Sequence, residues 1–499
     1  MANTRSSVVI LGAGPAGLTA AYVLSKAGIP VDVLESDPIY VGGISRTVHY
    51  KGFHFDIGGH RFFSKSKEVE DLWTEILGDD LLNRPRSSRI FYNGKLFAYP
   101  LKAFDALSKL GIVESTLCML SYFSARVHPN PTEKSFEDWV SNRFGKRLFR
   151  IFFKTYTEKV WGMSCKEISA DWAAQRIKGL SLATAVKNAL FPQRRPKDRS
   201  AVVKTLIDTF RYPRRGPGMM WERCAEKVQR MGGRVHQGRR VAGCQYDAKK
   251  EEWTVIATNA AGERESFHGG HVISSIPIRE LGSFLEPALP EEALTASRSL
   301  RYRDFLTVGL ILKERNLFPD NWIYIHDPRV KVGRIQNYKS WSPEMVPDPA
   351  FCCYGLEYFC FEGDGLWTMP NDRLVELAKS ELEQIGFARA ADVEDGCVIR
   401  QSKAYPVYDD NYAAHVDTVR RTLETGYPNL HLVGRNGMHK YNNQDHAMMT
   451  AMLTARNIIA GSRQWNTWLV NQDAEYHEAG EAGEEAASGL RMVPSRVRE

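Results

Sequence analysis

Three glycines and an acid offer the first chemistry. Gly12, Gly14 and Gly17 spell GxGxxG directly behind the apolar run Val8–Leu11 and ahead of the helical pattern Leu18–Lys26, with Ala16 inside the loop; Glu35 lies eighteen residues past Gly17, at the end of a second apolar run. In such a loop the first glycine makes a tight turn, the second lets main chain approach a pyrophosphate, and the third lets helix lie close on strand. The diphosphate then rests on the helix N-terminus, and the acid accepts hydrogen bonds from a ribose. These positions predict one βαβ nucleotide-binding unit.

A second glycine pair decides which nucleotide. Gly42-Gly43-Ile44-Ser45-Arg46-Thr47 follows, and then Phe55-Asp56-Ile57-Gly58-Gly59-His60. Paired glycines beside an arginine lengthen the diphosphate cradle, which suits FAD better than NAD. Near the other end of the chain, the strand-like Leu430–Val433 runs into Gly434-Arg435, a polar loop, and a helix starting near Asn443–Asp445. A helix N-terminus carries roughly half a positive charge. Aimed at a flavin, with Arg435 beside it, it would stabilise negative charge on the reduced ring. Val241, at the start of predicted strands, is a further candidate cofactor contact.

The elements that must hold these residues read as an α/β chain: a Rossmann-type FAD-binding domain, a helical insertion and a mixed-sheet substrate domain. The expected divisions are 6–100, 215–285 and 400–465 for the discontinuous FAD-binding part, 101–214 for the insertion, 286–399 for the sheet, and 466–499 as a disordered tail rich in Glu, Ala and Gly. Ser135–Lys154 carries Phe136, Trp139, Val140, Phe144, Leu148, Ile151 and Phe152 near helical spacing behind a Ser135 cap with Asp138 three residues on, and predicts one packed helix. Tyr156-Thr157-Glu158-Lys159-Val160-Trp161-Gly162 follows, and Gly162 should end the helical stretch.

At 499 residues with 43% hydrophobic content, the chain has core enough for two or three domains. Met1 leads straight into the first strand without a signal-like segment, and no run reaches the roughly 18 apolar residues of a membrane span. The nearest, Leu110–Val127, is interrupted by Glu114, several serines and Arg126. The cytoplasm is the expected location. Eight cysteines show no CxxC pair and no zinc-ligand spacing, so no metal is expected. The net charge of +7 gathers partly in Gln193–Arg199 and Arg211–Arg215; these read as solvated loops, with a phosphorylated substrate or peripheral contact with an anionic membrane left open. Nothing resembles a nucleic-acid motif. The oligomeric state is not legible.

Together these residues resemble flavoproteins of the glutathione-reductase-like FAD fold, in the neighbourhood of UDP-galactopyranose mutases and of the protoporphyrinogen oxidase and amine oxidase flavoenzymes. Tyr156–Gly162 is similar to the mutase YTEKQWG, Gly59-His60 to its flavin-side loop, Ala404-Tyr405-Pro406-Val407 to its tyrosine–proline turn, and Gly434-Arg435 with Tyr441 to its GR…Y segment. Gly42–Thr47 and Gly216-Pro217-Gly218 look closer to the oxidases. The resemblance implies that His60 sits against the isoalloxazine and Arg435 near it, with Tyr405 the third catalytic candidate. Tyr405 and Tyr441 would meet substrate phosphates, and Trp161 would line the cleft. The mutase reaction passes through flavin N5 with no net redox. It needs an electron-rich N5 and a stabilised leaving diphosphate more than side-chain acids or bases.

The mutase pattern also has two diphosphate-binding arginines, which fall here at about Leu180 and Tyr354, and a flavin-contacting aspartate, which falls at Asn443. Arg176, Lys178 or Arg334 could replace the missing cations, and Tyr354 stands as a candidate substrate contact. Three functions therefore stay open: mutase-like chemistry on a nucleotide- or lipid-phosphate-linked sugar, dehydrogenation of a small molecule, and a flavin-binding scaffold without turnover.

Overall fold

The computed structural model describes residues 7–168, 170, 209–409 and 411–471. Leu180, Arg176, Lys178 and the basic run 193–199 lie outside these residues, as does the expected tail beyond 471.

Val8–Leu11 is buried on both faces and pairs in parallel with Val31–Leu34 on one side and His271–Ser274 on the other. Leu430–Leu432 and Arg234–His236 complete a five-stranded parallel sheet whose central strands are rich in Val, Ile and Leu, as a two-sided sheet requires. Helices Pro15–Lys26, Gly218–Arg230 and Gln444–Ala460 supply the core on one face. A four-stranded meander, Arg240–Asp247, Glu252–Thr258 and Arg264–Gly269 with Leu285–Glu286, lies over the other.

A second, seven-stranded sheet runs Val393–Pro406, Tyr302–Lys313, Phe351–Cys360, Arg334–Asn337, Trp322–Ile325, Ser88–Tyr92, Lys95–Ala98. Two expected boundaries move accordingly. Ser88–Tyr92 pairs with Trp322–Ile325, so the chain has left the nucleotide layer before residue 100, and Val393–Pro406 keeps it in the second sheet until after 406. Strand-forming character is local, but the choice of sheet is a long-range pairing that hydrophobic pattern does not encode. At the C-terminal end, Trp468 and Val470 are buried, and Lys440 donates to the Trp468 carbonyl, so residues 466–471 are packed structure rather than the start of a tail.

The single helix expected over 135–154 is three pieces. Ser135 and Asp138 do form the capping box, but Gly145 interrupts the helix at φ +81, and a π turn, Arg150–Lys154, carries the chain into Thr155–Trp161. The break has a steric cause: a Cβ at Gly145 would stand 2.7 Å from the Tyr122 backbone nitrogen of the crossing helix Ile112–Val127. Gly162 ends the run in the left-handed region, φ +64. Among the described residues no helix is long and apolar enough to cross a membrane, and no three His, Cys, Asp or Glu side chains gather to hold a metal.

Candidate active site

One cavity of about 710 Å³ opens where the nucleotide sheet meets the second sheet. Gly12, Gly14, Ala16, Glu35, Gly43, Gly59, His60, Val241, Gly434, Arg435 and Asn443 of the expected cofactor residues line it, and so do Arg334, Tyr405 and Tyr441 of the expected substrate residues.

The cradle is made of main chain. Gly12 turns at φ +94, and a Cβ on Gly17 would lie 1.9 Å from the Gly12 carbonyl oxygen, so helix Pro15–Lys26 can rest on the loop only because residue 17 is glycine. Gly14 is the N-cap and offers no side chain to the first-turn amides. Those amides therefore face the cavity as free donors. Gly43, at φ +54, stands opposite, and its Cβ would lie 3.4 Å from the Gly14 Cα. Glu35 accepts the Ala13 N–H at 2.8 Å and the Asp37 N–H at 2.9 Å, which fixes its carboxylate at the cavity edge.

Three expected cofactor residues work from behind this wall. Gly17 is buried under the turn, and a Cβ on Gly42 would stand 3.0 Å from the Trp221 ring. Arg46 is not among the lining residues: its Nη1 donates to the Gly43 carbonyl at 2.9 Å and to Gln401 Oε1 at 2.5 Å, tying the glycine loop to the second sheet.

The opposite wall is a helix N-terminus. Asn443 precedes Gln444–Ala460, and the Asn443 N–H donates to His446 Nδ1 at 3.3 Å. Gln444 has both amide atoms buried without a hydrogen-bond partner, and Asp445 Oδ2 is likewise unmatched. Buried polar atoms are rarely left so in a protein interior. Unmatched donors and acceptors facing a cradle of free amides are what a polar, two-ended ligand such as FAD would complete.

At the inner end the wall is side chain. His60 Nε2 donates to the Ile57 carbonyl at 2.8 Å; burial, with some help from Arg435 and Arg334, pushes its pKa down to about 4, so the ring is neutral at pH 7. Arg334 forms a bidentate pair with Glu357, Nη2 to Oε2 at 2.6 Å and Nε at 2.9 Å, and Gln336 donates to the other Glu357 oxygen at 2.9 Å. Burial opposes the Arg334 charge, and Glu357 more than offsets it, holding the pKa well above the usual arginine value. Tyr405 and Tyr441 stack with centroids 5.6 Å apart and planes 14° from parallel, too close for a ligand between them. The Arg435 guanidinium sits 5.2 and 5.0 Å from their centroids and donates to the carbonyls of Asn442 and Ala404, both at 2.9 Å. Burial, then Tyr441, raises the Tyr405 pKa, so this phenol stays a hydrogen-bond donor.

Two substrate candidates lie elsewhere. Tyr354 is buried on the far side of its strand, its ring 4.9 Å from Phe318. Side chains three apart on a strand face opposite ways, so with Glu357 turned toward the cavity, Tyr354 is turned from it. Trp161 is buried in the helical cluster with Phe136, Trp139 and Phe149. The surrounding motif is an anchor: Lys159 Nζ donates to the carbonyls of Ile325, Asp327 and Val332 at 3.2, 2.7 and 3.0 Å, and burial lowers its pKa to about 8. Arg303 answers from the sheet with bonds to the Val160 and Lys159 carbonyls at 3.0 and 3.3 Å. What this lock presents is Tyr156, stacked on His326 at 5.2 Å.

Sequence reasoning passed over Gln336, Glu357, Gln401 and Gln444. A carboxylate inside the largely apolar run Phe351–Cys360 was the available signal for Glu357, while the polar stretch Arg334–Asn337 offered none for Gln336.

A family model described as flavin containing amine oxidoreductase matches residues 15–459. The L-amino-acid oxidase of Crotalus adamanteus is 27% identical over 337 residues, covering 62% of this chain and 58% of that enzyme. A phytoene desaturase of Fusarium fujikuroi is 26% identical over 251 residues, 46% of this chain and 43% of that one. The chain thus spans less than three-fifths of these curated relatives. Among solved structures, a reduced UDP-galactopyranose mutase superimposes with TM-score 0.78 at 20% identity, covering 95% of this chain and all of that one. A protein assigned as protoporphyrinogen oxidase from an Exiguobacterium species gives 0.70 at 17%, covering 91% and 99%, and a putrescine oxidase bound to putrescine gives 0.60 at 17%, covering 91% and 99%. These identities carry the fold.

Proposed function

Because the chain belongs to the flavin-containing amine oxidoreductase family and is an FAD-dependent enzyme, we propose that it acts on an anionic substrate, a nucleotide- or lipid-phosphate-linked sugar, in the manner of a UDP-galactopyranose mutase. The observation that carries this reading is the charge at the inner end of the cavity. Arg435 makes no ion pair among the described residues, and Glu357, buried behind Arg334, is already spent on Arg334 and Gln336. Of the carboxylates lining the cavity, buried Asp445 keeps one oxygen unmatched, but at the helix N-terminus, where the dipole favours a negative charge. A phosphate at the inner end would meet Arg435 and the Tyr405 phenol, whereas an ammonium there would meet the Arg435 charge.

Bound in the cradle, FAD supplies an N5 atom able to act as nucleophile or to carry an electron pair. The residues do the rest. The amides behind Gly14 and Glu35 hold the dinucleotide. Neutral His60 keeps its Nε2–H on Ile57 and so brings no charge to the flavin side. Arg435 and the N-terminus of Gln444–Ala460 favour negative charge nearby. Tyr405, held protonated, donates to a substrate oxygen.

Titrating the oxidised holoenzyme with uridine diphosphate and with putrescine, and following the flavin absorbance, tests the reading. Saturable perturbation by the diphosphate, weakened in Arg435→Met, is expected; a response to the amine alone contradicts it. One observation favours a second reading, dehydrogenation of an anionic small molecule: the position aligned with a mutase diphosphate arginine is Tyr354, which faces away from the cavity.

A further inference from the structure

Helix Ile112–Val127 lies outside everything the site uses, and among the described residues its outer face gathers more of the exposed large apolar side chains than any other element. Ile112, Val113, Leu117, Leu120, Phe123 and Val127 are between 37% and 88% exposed, and the other exposed positions on that face, Thr116 and Ser124, are uncharged. At about 100° per residue these eight positions fall within one arc, and Phe104 of the preceding helix Ala103–Leu110 adds to it, 64% exposed.

The orientation is enforced. Arg147 holds Glu114 through Nε at 2.5 Å and Nη2 at 2.7 Å, Ser115 Oγ donates to the Leu107 carbonyl at 2.8 Å, and Ser121 Oγ accepts the Arg147 N–H at 3.2 Å. Gly145 lets the neighbouring helix cross directly against the Ser121–Tyr122 backbone. Rolling the helix to hide its apolar arc would break all four.

Charge selects the occupant. Between Lys95 and Lys154 there are ten Lys or Arg against five Asp or Glu, most of the excess behind the chain's +7. The acids nearest the helix are already matched, Glu114 by Arg147, Asp105 by Lys109 and Glu133 by Arg143, while Arg126, Lys146 and Arg150 form no ion pair among the described residues. A second copy would bring this cationic layer against itself. An anionic lipid surface would accept the apolar arc at its acyl boundary and the cations at its headgroups. We propose that the outer face of Ile112–Val127 docks the enzyme on anionic membranes as an interfacial helix lying in the plane of the surface.

The test is flotation of the full-length, FAD-loaded protein with vesicles of phosphatidylcholine, alone or with about a third phosphatidylglycerol. The wild type should float with the anionic vesicles and much less with the neutral ones. Leu120→Glu with Phe123→Glu should lower the bound fraction about tenfold or more while flavin content and Tm hold. Arg126→Glu with Lys146→Glu should weaken binding to the anionic vesicles only, as added salt would. Wild-type protein that stays in solution overturns the proposal. So does vesicle binding untouched by the Leu120/Phe123 pair, or a dimer mass by light scattering that this pair halves, which would assign the face to a second copy.

Discussion

At the diphosphate end of the cavity the wall is backbone, with Gly12, Gly14, Gly17 and Gly43 present for what they lack. At the inner end it is side chain in two sets, Arg334 with Glu357 and Gln336, and Arg435 with Tyr405 and Tyr441. A wall made by removing side chains fails when one is added. A wall made of mutually paired charges fails when one is taken away, and it then loses stability before it loses binding.

The largest effects should come from breaking the first wall. Gly17→Ala puts a carbon 1.9 Å from the Gly12 oxygen, so its cost should reach or exceed the ~3 kcal/mol upper range of overpacking, and thermal denaturation should show a protein that does not fold at ordinary temperature. Gly14→Ala places its Cβ 4.0 Å from the Gly43 Cα, in the open cradle. It should therefore fold and purify colourless; yellow protein with a full flavin ratio would remove Gly14 from the cofactor site. On the second wall, Arg334→Ala leaves Glu357 buried and unpaired, which should cost about 3–5 kcal/mol. Arg334→Met with Glu357→Met should recover most of that in denaturant unfolding, leaving any remaining defect to ligand affinity. Arg435→Met removes no ion pair among the described residues but takes a donor from the Asn442 and Ala404 carbonyls. It should therefore cost about 1–3 kcal/mol of stability and weaken diphosphate binding by about 1.5–3 kcal/mol, read by denaturant unfolding and by titration.

The shallowest effect is acid sensitivity. Burial holds His54, His60 and His439 at about 4 and His326 and His431 at about 3, below the ordinary 6.5. The unfolded chain therefore binds more protons between these values, and stability that is whole above pH 6.5 is lost as the pH falls toward 4. Asp56, raised by burial to about 7, works the other way across its own range. Burial lowers His271 as well and raises Glu222 and Asp304 beside Asp56. Six histidines against three acids should lower Tm on acidification, and His326→Gln should flatten the slope; a Tm that rises instead would contradict this.

The contrast also explains what was legible. The first wall was readable residue by residue because glycine spacing and strand–helix alternation are local. The FAD expectation and the nucleotide-binding part of the fold followed from it, while the family resemblance rested also on Tyr156–Gly162, Gly59-His60, Ala404–Val407 and Gly434-Arg435 with Tyr441. The second wall was only half readable. Tyr405, Tyr441, Arg435 and His60 line the cavity, but Tyr354 rests on counting along the chain by the family pattern, and strand alternation from Glu357 turns it away. Arg46 and Trp161 were named for their types, yet each spends its side chain on holding other elements. Gln336 and Glu357 become significant only when strands Arg334–Asn337 and Phe351–Cys360 are brought side by side. Tyr156–Gly162 was recognised as a motif, but only its partners, Lys159 with three carbonyls and Arg303 with two, reveal an anchor.

The most direct test of the central claim uses the enzyme reduced with dithionite under anaerobic conditions, mixed with a panel of nucleotide sugars and trapped with cyanoborohydride. Flavin isolated with the added mass of a sugar, together with ring-isomerised product and no net oxidation, is the result this account predicts. Flavin of unchanged mass with every sugar, together with rapid re-oxidation by oxygen or a quinone, would contradict it and assign the cavity to dehydrogenation.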